Sequence, residues 1–401
     1  MNVKKTIMMS LAVTMTGTML LYANGGVSVA NAQTNKAAHV ASFNEADAAQ
    51  KKKVITQALD EVVAKGIPGV IVQTLKNGAK WEYATGKASI YADRSMQPDF
   101  HFRIGSITKT FVATVVLQLA GEGKLSLDDT VEKWLPGVVQ GNGHDGSQIT
   151  VRQLLNMTSG IADCVNESLM KTLNENRFKT YTAEELVKIG LQQKPLFTPG
   201  TKFDYSSTNT VLAGLIVQKV TGQSYAEQIK QRIIEPLQLK NTSVPGSITK
   251  LPEPHARGYS IKAPAGALED FTEMSPTWGN AAGEMISTTG DLNRFFSELL
   301  AGKLLKPEQM KEMLNAVPSP EINGSYGLGI NVRTLANGVS IWGHAGGVPG
   351  FISYVGGTLD GKHVISFNYN LHHRGERNKA KVMKDAEKKM LEAEFGNPLS
   401  E

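Results

Sequence analysis

A single cysteine, Cys164, stands in 401 residues, which excludes an intramolecular disulfide. A chain this long can bury enough apolar surface to do without one. Cys164 has the chemistry of a nucleophile but no flanking signature, so it reads as structural. Cys-x-x-Cys, His-Glu-x-x-His and a phosphate-cradling glycine loop are all missing, and His372-His373 has no spaced third ligand. No cofactor and no metal are implied. After residue 22 no apolar run reaches the roughly 20 residues that span a bilayer, so no stable membrane span is expected once the leader described next is removed. Charge of one sign is also scarce: 42 Lys and Arg against 37 Asp and Glu give a net +5. So small and scattered an excess leaves no footprint for nucleic acid.

What is present begins with an address. Lys4 and Lys5 precede an apolar run over 7–22, and Ala30-Asn31-Ala32 supplies a small-residue cleavage pattern. Residues 1–32 read as a secretory signal peptide. Cleavage after Ala32 removes two lysines and no acid, leaving a net charge of +3 and a chain expected to be secreted, extracellular or associated with the cell wall.

After a flexible segment over 33–43, apolar Val54, Ile55, Leu59, Val62 and Val63 predict a helix over 44–65, stopped by Gly66 and Pro68. Strands follow at 70–75 and 81–85, joined by Asn77-Gly78, a favoured hairpin pair. Near the other end, 326–332, 339–342, 351–355 and 363–370 read as strands, and 377–395 as a charged helix. The expected fold is α+β: one antiparallel sheet built from both termini, flanked by helices, with a mostly helical lobe over about 122–265. Residues 44–395 form one domain.

The string Gly-Ser-Ile-Thr-Lys occurs twice, at 105–109 and 246–250. The first copy runs into an apolar stretch, 110–120, that reads as a buried helix. One turn would separate Ser106 from Lys109, stacking the amine over the hydroxyl. A buried ammonium must be paired, solvated by a site, or neutral, and a neutral amine there is a base aimed at a nucleophile. The second copy lies between Pro245 and Leu251-Pro252, which cannot continue a helix. Two further stretches carry candidate chemistry. Tyr205 falls just before a helix over 211–220, with Ser207, Thr208 and Asn209 as possible N-caps. His344 ends a strand and is followed by Gly346 and Gly347, where backbone can approach a ligand closely.

Taken in order, these segments resemble the penicillin-recognising serine hydrolases, in particular the class C β-lactamase, secreted D,D-carboxypeptidase and D-peptidase group. The resemblance covers about 45–390. It rests on Arg103-Ile104-Gly105-Ser106-Ile107-Thr108-Lys109, Gly123-Lys124-Leu125-Ser126-Leu127-Asp128-Asp129, the run 149–160, Phe197-Thr198-Pro199-Gly200 with Tyr205-Ser206, Ala282-Gly283 near Ser287-Thr288, and Tyr326-Gly327-Leu328-Gly329. It implies Ser106 as acylated nucleophile, Lys109 as its base and Tyr205 as proton relay. His344 stands where the family has the Lys of Lys-Thr-Gly. The N–H groups of Ser106 and Gly347 would hold the oxyanion, and Trp278 would line the cleft.

Two departures qualify the likeness. The family's Tyr-x-Asn is Tyr205-Ser206-Ser207 here, with Asn209 two places late. Carboxypeptidase-type relatives hold the substrate carboxylate with a cation before the His strand; this chain has Asn331 there, and Arg333 two residues on. If Arg333 cannot reach, a free C-terminus is not required. The implied activity is hydrolysis of peptides containing D-residues, peptidoglycan stem peptides among them, with β-lactams as possible acylating ligands. Esterase, β-lactamase and non-turnover sensor are the alternatives.

Overall fold

The computed structural model describes residues 29–262, 266–320, 324–373 and 375–396. The chain divides into residues 1–49 and a unit formed by Gln50–Glu401. Residues 1–28, most of the expected signal, lie outside the described residues. Helix α1 (Val29–Ala64) starts earlier than the expected residue 44. Ala30, Ala32, Ala37, Ala38 and Ala41 give the added stretch strong helix propensity.

Among the described residues nine strands form the central sheet: β1 (Gly69–Lys76), β2 (Ala79–Ser89), β3 (Arg94–Ser95), β4 (Val317–Ser319), β5 (Gly324–Tyr326), β6 (Asn331–Thr334), β7 (Ser340–Val348), β8 (Phe351–Gly357) and β9 (His363–Tyr369). Their spatial order is β4-β5-β6-β7-β8-β9-β1-β2-β3, antiparallel throughout. The two ends of the chain meet where β1 pairs with β9, from Val70↔Tyr369 to Lys76↔His363. Asn77 and Gly78, both at positive φ, turn β1 into β2. The strand expected over 326–332 is instead two, β5 and β6. Between them Gly327 N–H bonds back to the Ile330 carbonyl.

Alternation along the strands splits the core into two layers. Val70, Val72, Ile341, Ile365 and Phe367 face one side, where Ile55, Leu59 and Val62 of α1 and Met383 and Met390 of α5 (Arg377–Phe395) cover them. Trp342, Val348, Phe351 and Val364 belong to the other layer. That layer also holds the helices carried between β3 and β4, including α2 (Thr108–Gly121), α3 (Ser207–Thr221) and α4 (Thr289–Leu300). Helix α2 is buried nearly all round, with Phe111 stacked on Phe295 of α4 at 3.8 Å between ring centroids. Each large apolar side chain so buried contributes on the order of 1.5–3 kcal/mol. The second Gly-Ser-Ile-Thr-Lys, at 246–250, is an irregular loop.

Candidate active site

A short 3₁₀ turn, Gly105–Ile107, leads into α2 and carries Ser106. The turn is held from within, where the Thr108 hydroxyl donates to the Gly105 carbonyl at 2.7 Å. From outside, β7 presses on it. A Cβ at Gly346 would lie 1.9 Å from the Ile104 carbonyl oxygen, and a Cβ at Gly105 would lie 2.8 Å from the Gly347 nitrogen. Neither position can carry a side chain, and the contact sets Ser106 and Gly347 side by side on one cavity. Gly346 is therefore a close-approach residue, and Gly347 reaches the cavity beside Ser106. Pairing of β6 with β7 stops at Asn331↔Gly343, so the Gly105–Ile107 turn lies against a stretch of β7 that β6 does not cover.

Lys109, one turn on, is 1% exposed. Its Nζ lies 3.1 Å from Ser106 Oγ, 3.4 Å from Ser207 Oγ and 2.9 Å from the Ala282 carbonyl oxygen. Among the described residues no carboxylate stands within ion-pair distance of it. Its amine can donate to the Ala282 carbonyl and to the hydroxyl oxygens of Ser106 and Ser207. The Tyr205 ring lies below the amine, 4.9 Å from Nζ to its centroid.

Tyr205, Tyr326 and His344 form an aromatic cluster behind the lysine. Tyr205 packs edge-on to Tyr326 with centroids 6.0 Å apart, and lies 6.4 Å from the His344 ring. His344 Nδ1 faces the Ala345 carbonyl, so the proton sits on Nδ1 and Nε2 accepts from Tyr326 Oη at 2.9 Å. Burial pushes the His344 imidazole down to about 3, helped by the charges of Lys109 and Arg333. The residue standing in for the family's lysine is thus uncharged at neutral pH.

The remaining candidates separate. Ser207 reaches Lys109 and the cavity, with its own N–H on Asp163 Oδ1 at 2.9 Å. Trp278 lines the cavity wall. Asn209, however, is fully buried and points away: its Oδ1 accepts from Ser159 Oγ at 2.6 Å and its Nδ2 faces Met157 Sδ. The helical rise places a residue two positions late on another face, so Asn209 does not stand in for the missing Asn. Arg333 is also out of position. It pairs in register with Ile341, on the face covered by α5, where its guanidinium is tied to Glu387 and lies over Tyr354. The carboxylate-holding role suggested for it does not fit this placement. Cys164 is buried and burial pushes its thiol up to about 12, which leaves it unreactive.

The cavity above Ser106 measures about 450 Å³. Val165, Met170, Trp278, Val348 and Pro349 make an apolar wall, with Asn174 and His372 as polar points on it. Among the described residues, none that lines the cavity bears a carboxylate, ammonium or guanidinium. Sequence reasoning missed Val165, Met170, Asn174 and His372. The first three come from the loop and short helix before Asn176 and have no motif. His372 is brought in by Leu371–His372 pairing with Tyr259–Lys262, and lies 3.4 Å from where a Gly347 Cβ would be.

Comparison with known proteins agrees with this geometry. A D-stereospecific amidohydrolase from Streptomyces sp. is 42% identical and superposes with a TM-score of 0.77, over 86% of this chain and 98% of its own. The D-amino acid amidase of Ochrobactrum anthropi SV3, in complex with L-phenylalanine amide, is 30% identical at a TM-score of 0.76, with the same coverage. Protein flp of Staphylococcus aureus (strain MW2) is 30% identical over 278 residues, 67% of this chain but only 54% of flp, so the chain spans little more than half of that relative. Residues 51–388 match the family described as Beta-lactamase, and the chain belongs to it: it is a hydrolase of the β-lactamase fold.

Proposed function

We propose that the protein is a serine amidohydrolase acting on amides and peptides of D-amino acids through an acyl-Ser106 intermediate. The observation that carries this reading is the Ser106–Lys109 pair, 3.1 Å apart, opening onto a cavity with a largely apolar wall. Lys109 takes the Ser106 hydroxyl proton as Oγ attacks the substrate carbonyl. The N–H groups of Ser106 and Gly347 receive the negative charge that develops on oxygen. The C–N bond then breaks, and Tyr205, over whose ring Lys109 sits, returns a proton to the leaving amine. Water, activated by the same groups, cleaves the acyl ester and regenerates the serine.

Amidase or endopeptidase action is preferred over carboxypeptidase action. Among the described residues the cavity wall offers a free substrate carboxylate no lysine or arginine, and Arg333 is engaged by Glu387. The apolar wall favours an apolar side chain on the acyl residue. We also read residues 1–32 as an export signal, which N-terminal sequencing of the cell-free fraction would test.

The decisive assay is hydrolysis of matched D- and L-peptides, each with a free and an amidated C-terminus. Turnover should favour the D-series and be indifferent to, or improved by, amidation. Preference for a free carboxylate would return the protein to the carboxypeptidases, and faster turnover of a chromogenic cephalosporin than of any D-amide would make it a β-lactamase.

A further inference from the structure

The segment after Trp278 does more than line the cavity. Ala282 offers its carbonyl to Lys109 Nζ at 2.9 Å. Gly283 lies against the nucleophile turn, its absent Cβ 3.8 Å from the Gly105 carbonyl carbon. Met285 closes the strap on the same turn, its N–H on Thr108 Oγ1 at 3.3 Å and its carbonyl accepting from Ile104 N–H at 3.0 Å. Between them Glu284 turns inward, 3% exposed, and accepts from the Tyr225 hydroxyl.

A buried carboxyl is costly where an apolar side chain would fill the space. Nothing about packing requires it here, and the reaction described above does not use it. Its surroundings are specific. Tyr225, on the short helix Tyr225–Ile229, is wedged against α3: a Cβ on Gly214 would stand 2.8 Å from Ala281 Cβ and 3.2 Å from Tyr225 Cδ1. The charge facing Glu284 is that of Arg103, with Glu273 also acting on Arg103. Arg103 is itself buried, its Nη2 held by the carbonyls of Thr249, Thr272 and Met274.

We propose that Glu284 is a positioning residue for the Lys109 amine: through its bond to Tyr225 it anchors the 282–285 strap, and so fixes the carbonyl that aims Lys109 at Ser106. This rests on the serine-hydrolase reading. Loss of the anchor lets the Ala282 carbonyl move and the amine swing, slowing proton removal from Ser106 without altering the apolar wall that binds substrate. Burial holds the Glu284 carboxyl up at about 7, so the anchor changes charge near neutral pH, and Gln in its place would not.

The experiment measures acylation of Ser106 by a fluorophosphonate, together with kcat and KM on a D-amide, across pH. Glu284→Ala and Tyr225→Phe should each slow acylation at least about tenfold, the effect of losing one buried hydrogen bond, with KM nearly unchanged. Glu284→Gln, which still accepts from Tyr225, should restore most of the rate and remove an inflection near neutral pH from the profile. If Tyr225→Phe and a folded Glu284→Ala acylate at wild-type rate and merely melt earlier, Glu284 is a structural residue and the proposal is overturned. If wild type itself is not tagged at Ser106, the serine-hydrolase reading fails and takes this one with it.

Discussion

The same five residues, Gly-Ser-Ile-Thr-Lys, occupy two environments in one molecule. At 105–109 they form a turn and the first residues of a helix sealed on nearly every face, with the lysine 1% exposed. At 246–250 they form a loop in which Gly246, Ser247, Ile248 and Lys250 are exposed. Even the backbone matches at the first position, with φ +53 at Gly105 and +59 at Gly246. What differs is what surrounds them. Around Gly105, Gly347 occupies the space a side chain would need; among the described residues, beyond its chain neighbours, a Cβ at Gly246 would meet nothing within 4 Å. A motif acquires chemistry from burial and from the partners that burial imposes.

The largest separation between the copies should appear at the serines. Ser106→Ala is expected to lower amide turnover by about a thousandfold or more, while Ser247→Ala stays within about twofold, as exposed substitutions do. Turnover assays and fluorophosphonate labelling check both, and labelling lost from the Ser247 variant would reverse the assignment. Next come the lysines. Lys109→Met should cost about 10²–10⁴ in kcat and Lys250→Met nothing measurable, as steady-state kinetics would show. The glycines follow. Gly105→Ala drives a methyl into the Gly347 backbone, and a displaced oxyanion N–H costs about a hundredfold or more in rate. Gly246→Ala carries only left-handed strain, about 1–2 kcal/mol, read as a lower Tm with normal kinetics.

A further effect lies in the pH dependence of stability. Glu284 has its carboxyl raised to about 7 in the fold from an ordinary 4.5. The native state therefore holds a proton the unfolded chain has lost, and stability falls as pH rises from about 4.5 to 7. His344, lowered to about 3 from 6.5, acts in the opposite sense: its contribution is lost as pH falls from 6.5 toward 3. Between pH 4.5 and 6.5 the two oppose each other. Glu284→Gln should unmask the histidine, so that denaturant-measured stability rises with pH relative to wild type by about 3 kcal/mol across 4.5–7. Parallel curves for the two proteins would refute this.

Where the sequence was legible, local chemistry and tertiary context agreed. Asn77-Gly78 turned a hairpin, the apolar run after Lys109 became a buried helix, and the helix over 377–395 has its expected limits. The two-ended sheet followed from alternating runs near both termini. What was not legible depends on faces and distant pairings. Asn209 and Arg333 looked available because linear spacing does not say which side of a helix or strand meets the cavity. His372 has no spaced ligand partner in the sequence, and its parallel pairing with Tyr259–Lys262 brings it to the cavity. Glu284 carried no signal beyond being an acid beside Ala282-Gly283, and its significance lies in a tyrosine some sixty positions earlier.

The nucleophile turn and the strand segment around Gly347 are separated by more than half the chain, yet each occupies space the other would otherwise fill. During synthesis Ser106 leaves the ribosome long before Gly347 exists. Its backbone pocket stays half-built until β7 has been made and docked, a long-range step of the slow kind. On the serine-hydrolase reading, acylation of Ser106 has to wait for that docking.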